Sequence, residues 1–290
     1  MKEFINRLNK KRLRSLGFVL IVWVFSVLCV VSLIFTVSDN VHLEIGITLL
    51  FAFVFAFLAF ASNRFLYSST KKAYEEDFRK NALKSLFESS CDGVVYKEGP
   101  ADVSAFVAQS VISGIDKEHT EYSFSGKYEG IAFNSVFSRN DDGYTGWLFE
   151  FVFSKNFKRN IQVRRKGSSL VIPPEKVWED GFETYETKSE PFNFKYVLNS
   201  PSGVDASGVM CEEVVYSLIS ATEKTRARLS ASFDGNRLYV FLQGVMPSYN
   251  IPLVSPVSET KLKKELFGDI NSALTLSLEL DSEKKIWKRI

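Results

Sequence analysis

Few residue types in this chain can do chemistry, and their spacing assembles no catalytic set. There are three cysteines, Cys29, Cys91 and Cys211, and two histidines, His42 and His119. Cys29 lies in a long apolar run, while Cys91 and Cys211 are far apart in sequence. That usage fits a reducing compartment with no disulfide framework. The histidines form no ligand spacing with the cysteines, so neither a metal nor a cofactor is expected. A Cys91–His119 or Cys211–His119 pair is the one nucleophilic arrangement that spacing leaves open. His119, however, sits in Lys117-Glu118-His119-Thr120, which reads as an exposed connection. The chain has no Gly-x-x-x-x-Gly-Lys-Ser/Thr loop, no Gly-x-Gly-x-x-Gly fingerprint and no Gly-x-Ser-x-Gly elbow. Asp141-Asp142-Gly143 lacks the further oxygen ligands of a calcium loop. No catalytic residue is assigned, and a non-enzymatic role is favoured.

The remaining candidate site is electrostatic. Lys155, Lys158, Arg159, Arg164, Arg165 and Lys166 cluster with no acid between Phe151 and Pro174. Charge runs are usually solvated faces, but these six residues are also the candidate contact to anionic lipid, at roughly 1 kcal/mol per Lys or Arg near a membrane surface. Net charge is +2 overall, and the first fifteen residues carry six cations and one acid, so the remainder is slightly acidic. A near-neutral body is a poor nucleic-acid binder, and no nucleic-acid partner is expected.

What positions these residues begins with a stretch that organises the chain. Leu16 to Val37 contains no charged residue. As a helix it would be roughly 33 Å long, enough for a hydrocarbon core of about 30 Å. Ser38-Asp39-Asn40 breaks the run, and Ile45 to Ala61 forms a second one. The two predict a transmembrane helical hairpin over 16–61. Lys and Arg flank both outer ends while the turn carries Asp39 and Glu44, so both termini are expected in the cytoplasm. A cleaved signal peptide is the competing reading, with Ala59-Phe60-Ala61 as its cleavage site. The first run is too long for a signal core, and the second lacks a basic leader.

After a basic segment 1–15 and the hairpin, 62–93 is expected to hold a juxtamembrane amphipathic helix, with Tyr74, Phe78, Leu83, Leu86 and Phe87 near helical spacing. Residues 94–290 read as one α+β domain, a mainly antiparallel sheet with flanking helices. Strands are predicted over Val94–Tyr96, from Thr120 through Tyr128, over Ile131–Ser138, Gly146–Lys155, Ile161–Arg165 and Pro191–Leu198, and in a hairpin around Asp234-Gly235-Asn236. Helices are predicted over Asp102–Ser113 and Asp205–Ala221, the second capped by Asp205 or Ser207. Trp147, Phe149, Phe151 and Phe153 share one strand face, which reads as sheet core; a stacking platform for bases or sugars is the functional alternative. Ile270 to Leu280 fits both periods, since Leu274, Leu276, Leu278 and Leu280 alternate while Ile270, Leu274 and Leu278 are helically spaced.

The order of these features resembles a bacterial membrane-protein family known as domain-of-unknown-function 3137. The resemblance spans most of the chain. It rests on the two N-terminal spans, Tyr122-x-Phe124-x-Gly126-x-Tyr128-x-Gly130, Gly146-Trp147-Leu148-Phe149-Glu150-Phe151, the helix from Asp205, Phe233-Asp234-Gly235-Asn236-Arg237-Leu238-Tyr239 and Lys285-Ile286-Trp287. The resemblance implies a helix over Ile270–Leu280 and a bacterial inner-membrane address, and it transfers no activity. The expectation is a membrane-tethered, non-catalytic cytoplasmic domain that docks a protein partner; a membrane-anchored sensor of a lipid or small ligand is the alternative.

Overall fold

The computed structural model describes residues 1–38, 53–60, 68–109, 117–139, 145–166, 181–223, 227–244 and 256–288. It divides into two compact units, one of Met1–Leu86 with Tyr249–Lys263, the other of Phe87–Ser248 with Lys264–Ile290.

In the first unit, helix α1 spans Lys2–Ser38 without a break, so the basic N-terminal segment is ordered helix rather than a tail. Among the described residues α1 supplies the one helix long and apolar enough to cross a bilayer. Residues 53–60, helix α2, are the described part of the second apolar run, and Phe55 stacks on Phe25 of α1 at 6.3 Å between ring centroids. The predicted two-helix hairpin is therefore not seen as a unit: its turn and the rest of the second run lie outside the described residues. Helix α3 spans Ser68–Ser90, within the expected segment 62–93, and strand β1 starts to pair at Asp92. Asp77 of α3 ties it to α1, accepting from Lys11 Nζ at 2.6 Å and Arg7 Nη2 at 3.2 Å, while Asn81 Nδ2 donates to it at 2.6 Å. Burial opposes the Asp77 charge, but hydrogen bonds from Lys11 and Asn81 and the two nearby cations outweigh it and hold its carboxyl below the usual value. Asn9 closes a two-way amide pair with the Val257 backbone, both bonds at 2.9 Å. That pair pins the segment leading into helix α7, Glu259–Leu262.

Among the described residues the second unit forms a nine-stranded, wholly antiparallel sheet. Its strands are β1 (Asp92–Glu98), β2 (Thr120–Tyr128), β3 (Ile131–Arg139), β4 (Thr145–Val152), β5 (Ile161–Arg165), β6 (Phe182–Tyr185), β7 (Tyr196–Pro201), β8 (Arg228–Asp234) and β9 (Arg237–Gln243). The order across the sheet is β1-β2-β3-β4-β9-β8-β5-β7-β6. The β2–β3 hairpin closes through Glu129 at φ +49° and Gly130 at φ +88°, the paired positive angles of a two-residue turn that matches strand twist. Gly146 is required by packing: a Cβ there would lie 2.4 Å from the Leu242 carbonyl oxygen.

Register explains the core. Phe137, Trp147 and Leu242 align across three strands, as do Phe133, Phe151 and Leu238. Phe87 stacks on Phe124 at 4.2 Å and meets Phe267 edge-on at 5.3 Å. Trp147, Phe149, Phe151 and Phe153 are all buried, which settles the aromatic stripe as core and removes the stacking platform. The opposite face carries a smaller cluster, in which Val103 and Phe106 cover Val136, Leu148, Tyr239 and Phe241. Phe106 lies on α4, Ser104–Ala108; the rest of the helix predicted to Ser113 lies outside the described residues, as does the predicted turn at 140–143.

Three segments correct the sequence reading. The strand predicted over Pro191–Leu198 is strand only from Tyr196, where β7 begins; α5 spans Glu190–Lys195 before it. Ser189 Oγ accepts from the Phe192 N–H, and Pro191 suits the first helical turn, where its missing N–H costs nothing. The helix from Asp205 is split into a 3₁₀ turn over Ala206–Gly208, capped by Asp205, and α6 over Glu212–Glu223. Gly268–Ser282 is helix α8, as the family resemblance implies. Ile270, Ala273, Leu274, Leu276, Ser277 and Leu280 are buried along it, and its serine hydroxyls are satisfied within the helix, Ser272 Oγ to Gly268 O at 3.1 Å and Ser277 Oγ to Leu274 O at 2.7 Å.

Candidate functional site

Beside the β6 edge, the second unit opens a groove of about 710 Å³. The chain supplies it from three separated stretches. Tyr185 ends β6, Thr187 and Ser189 lead into α5, Cys211 immediately precedes α6, and α6 presents Glu213 and Tyr216. Lys285 comes from the C-terminal turn Lys284–Ile286.

Each wall is held locally. Asn193 of α5 ties back the Thr187 loop, accepting from Thr187 Oγ1 at 2.8 Å and donating to Thr187 O at 2.6 Å. Asp205 accepts from the Ser207 hydroxyl at 2.5 Å and its N–H at 2.9 Å, and the Tyr185 hydroxyl donates to it as well. Those bonds, with the Arg159 charge, hold the Asp205 carboxyl below its usual range. Lys285 Nζ reaches Glu213 Oε1 at 2.6 Å, and this bond leads the causes that bring the Glu213 carboxyl down to about 2. The Lys285 N–H in turn bonds Glu283 at 2.9 Å, capping its own turn.

The groove is not built for nucleophilic chemistry. Burial, followed by the Glu213 and Glu283 carboxylates, pushes the Cys211 thiol up, so it is a hydrogen-bond donor to Glu213 rather than a thiolate. Burial and Asp92 push Cys91 up to about 12. Neither cysteine of the sequence-level pairs with His119 is activated. His119 lies in the turn before β2, and its backbone carbonyl accepts from Ser138 Oγ at 3.1 Å.

Sequence spacing missed one grouping. Cys211, Glu213 and Glu283 bring ligand-capable atoms within 4.8 Å of one another. The donors mix a soft sulfur with two carboxylates. They would suit a borderline cation only after Cys211 lost its proton and Lys285 left Glu213.

The six sequence-predicted cations do not share one face. Lys155 Nζ sits 5.6 Å over the Trp287 ring, and Arg159 Nη1 donates to the Lys158 carbonyl at 3.0 Å. Arg164 is withdrawn into the sheet on β5, opposite Val197, and burial brings its pKa down to about 10. Its neighbour Arg165 points to the other face, and the Lys166 N–H bonds the Lys195 carbonyl at 2.8 Å.

Exposed aromatics stand on α5 and α6, and one of them, Tyr216, lines the groove. Tyr216 on α6 is 72% exposed and Phe194 on α5 is 83% exposed. The far ends of these helices are joined by Lys195 and Glu223 at 3.3 Å. Large exposed rings on a fixed framework fit partner recognition better than chemistry.

No curated protein sequence matches the chain. The crystal structure of the mycobacterial trehalose monomycolate transport factor A, TtfA, aligns with a TM-score of 0.41 at 12% identity, covering 69% of this chain and 93% of that one. A family described as "Protein of unknown function (DUF3137)" matches residues 142–281, which run from the start of β4 to the end of α8 and hold most of the groove. That segment of the chain belongs to the DUF3137 family.

Proposed function

We propose that this protein is a membrane-tethered, non-catalytic docking protein of the bacterial inner membrane. In this reading α1 and the second apolar run, 45–61, anchor the chain as a hairpin, both termini are cytoplasmic, and the groove beside β6 receives a segment of a protein partner. The observation that carries the tether is the state of α1: Leu20, Trp23, Val24, Val27 and Val30 are 66%, 67%, 48%, 52% and 55% exposed. A helix so apolar and so little covered needs a bilayer, where each Leu or Val contributes about 0.3–0.6 kcal/mol to insertion. Its Ser26 hydroxyl bonds the Val22 carbonyl at 2.8 Å, so it enters lipid satisfied. The Phe25–Phe55 stack supports the second run lying beside the first. Docking is supported by Tyr216, exposed on the wall of a groove whose thiol is held protonated, with Phe194 exposed on α5.

The exposed cations Lys155, Arg159 and Lys166, with half-buried Lys158 and Arg165, stay as secondary candidate contacts to anionic lipid, without buried Arg164. The test of the tether is alkaline extraction of membranes from cells making the full chain. Retention in the pellet is expected, and release into the supernatant rejects the tether.

A further inference from the structure

A second cavity lies wholly within the first unit, where α1 changes from charged to apolar. It encloses about 700 Å³ between α1 and the start of α3. Lys11, Arg14, Phe18 and Ile21 lie along one helical stripe, at spacings of three, four and three residues. The stripe therefore passes within one wall from two cations to two apolar side chains. Gly17 faces the cavity between them, and nothing lies within 4 Å of where its Cβ would be. The opposite wall is formed by Ser69, Thr70 and Ala73. Among the described residues no acid lines the cavity. Asp77, the nearest acid bonded to this stripe, is already met by Lys11, Arg7 and Asn81. Arg14 is exposed and makes no ion pair among the described residues.

We infer that this cavity is a binding site for one anionic phospholipid, with Arg14 and Lys11 meeting the headgroup phosphate and Phe18 and Ile21 lying against the first acyl carbons. The occupant follows from the sequence of wall chemistries, charged then apolar over about 15 Å of helix, which is the order a phospholipid presents. The position fits as well, because Arg14 is the last charge before the uncharged run from Leu16. The inference rests on the membrane reading and adds a specific lipid site to it.

The experiment is native mass spectrometry of the detergent-solubilised full chain, titrated in parallel with phosphatidylglycerol and phosphatidylcholine. One retained phosphatidylglycerol, preferred over phosphatidylcholine, is expected. Arg14→Gln should weaken that binding about fivefold, the contribution of one cation near a phosphate surface. Gly17→Leu should fill the cavity and abolish the preference. Lys10→Gln removes the same charge from an exposed position outside the cavity and should leave binding unchanged. Equal binding of the two lipids overturns the site, and so do equal losses in Arg14→Gln and Lys10→Gln. Alkaline extraction separates the two readings. A chain that stays in the membrane but shows no lipid preference loses the site alone. A chain released by alkali that still prefers phosphatidylglycerol keeps the site and loses the anchor.

Discussion

Truncating Trp287 to alanine should unfasten the C-terminal strap that carries Lys285 into the groove. Trp287 is buried, stacks on Phe157 at 4.5 Å and lies 5.1 Å from Phe153, with Lys155 Nζ over its ring at 5.6 Å. Its backbone bridges Phe157, flanked by bonds from Lys158 N to Ile286 O at 2.9 Å and from Lys288 N to Asn156 O at 2.8 Å. Large-to-small substitution of a buried aromatic costs about 3–5 kcal/mol, and the cation over the ring accounts for about 0.5–1 kcal/mol of that. A domain stable by about 5–15 kcal/mol would lose a large fraction of its margin. Urea unfolding of the full chain in detergent, followed by far-ultraviolet circular dichroism, reads the loss as a lowered midpoint. Hydrogen exchange at the Lys158 and Lys288 amides should accelerate together. Trp287→Phe should cost about 1 kcal/mol or less, because among the described residues the indole N–H has no acceptor to lose. A loss below about 1 kcal/mol for Trp287→Ala, or unchanged exchange at both amides, would refute the strap as the element that positions Lys285.

Gly146→Ala should destabilise by about 2–4 kcal/mol or prevent folding, since the new Cβ meets the Leu242 carbonyl and the Phe241 ring with no room to yield; Gly126→Ala, whose Cβ would lie 2.9 Å from the Asp92 carbonyl on the edge strand β1, should be milder in the same unfolding assay. Glu129→Asn should raise the melting temperature, gaining about 0.5–1 kcal/mol by easing a positive φ, and a loss would show that the turn is not strained. Because the folded-state pKa of Asp77 is depressed, its contribution is present above the ordinary carboxylate pKa and fades as pH falls through the lowered value; Asp77→Asn should remove this acid-linked part of α1–α3 stability, and identical acid titrations of variant and parent would contradict it. Cys91 should react with iodoacetamide much more slowly at neutral pH than a free thiol and accelerate only in strong alkali; fast labelling at neutral pH would reopen a nucleophilic role.

Much of the sheet is written in local pattern. The hairpins β2–β3, β3–β4 and β8–β9 pair neighbouring runs of period two, so their existence follows from alternation and turn residues alone. The α5 helix was misread because Phe192, Phe194 and Tyr196 also alternate; the stronger signal was Ser189 followed by Pro191, a helix start that outranks three aromatics over so short a span. Helix α8 needed the family resemblance, because leucines at every second position arise equally when a helix is buried on several sides. The groove was invisible for a topological reason. Tyr185 and Lys285 are a hundred residues apart, and Glu213 meets Lys285 only because the strap returns past α6. The basic cluster illustrates the opposite relation between sequence and space. Its residues are neighbours in sequence, but strand geometry sends Arg164 and Arg165 to opposite faces.

Photo-cross-linking in living cells tests the docking claim most directly. A photoreactive amino acid placed at Tyr216, on the groove, is compared with one at Val95, half exposed on β1 at the other end of the sheet order. A discrete protein adduct from position 216 in the membrane fraction, absent from position 95, is expected. Equal adducts from both positions, or none from 216 while the chain remains in the membrane, would contradict a docking groove.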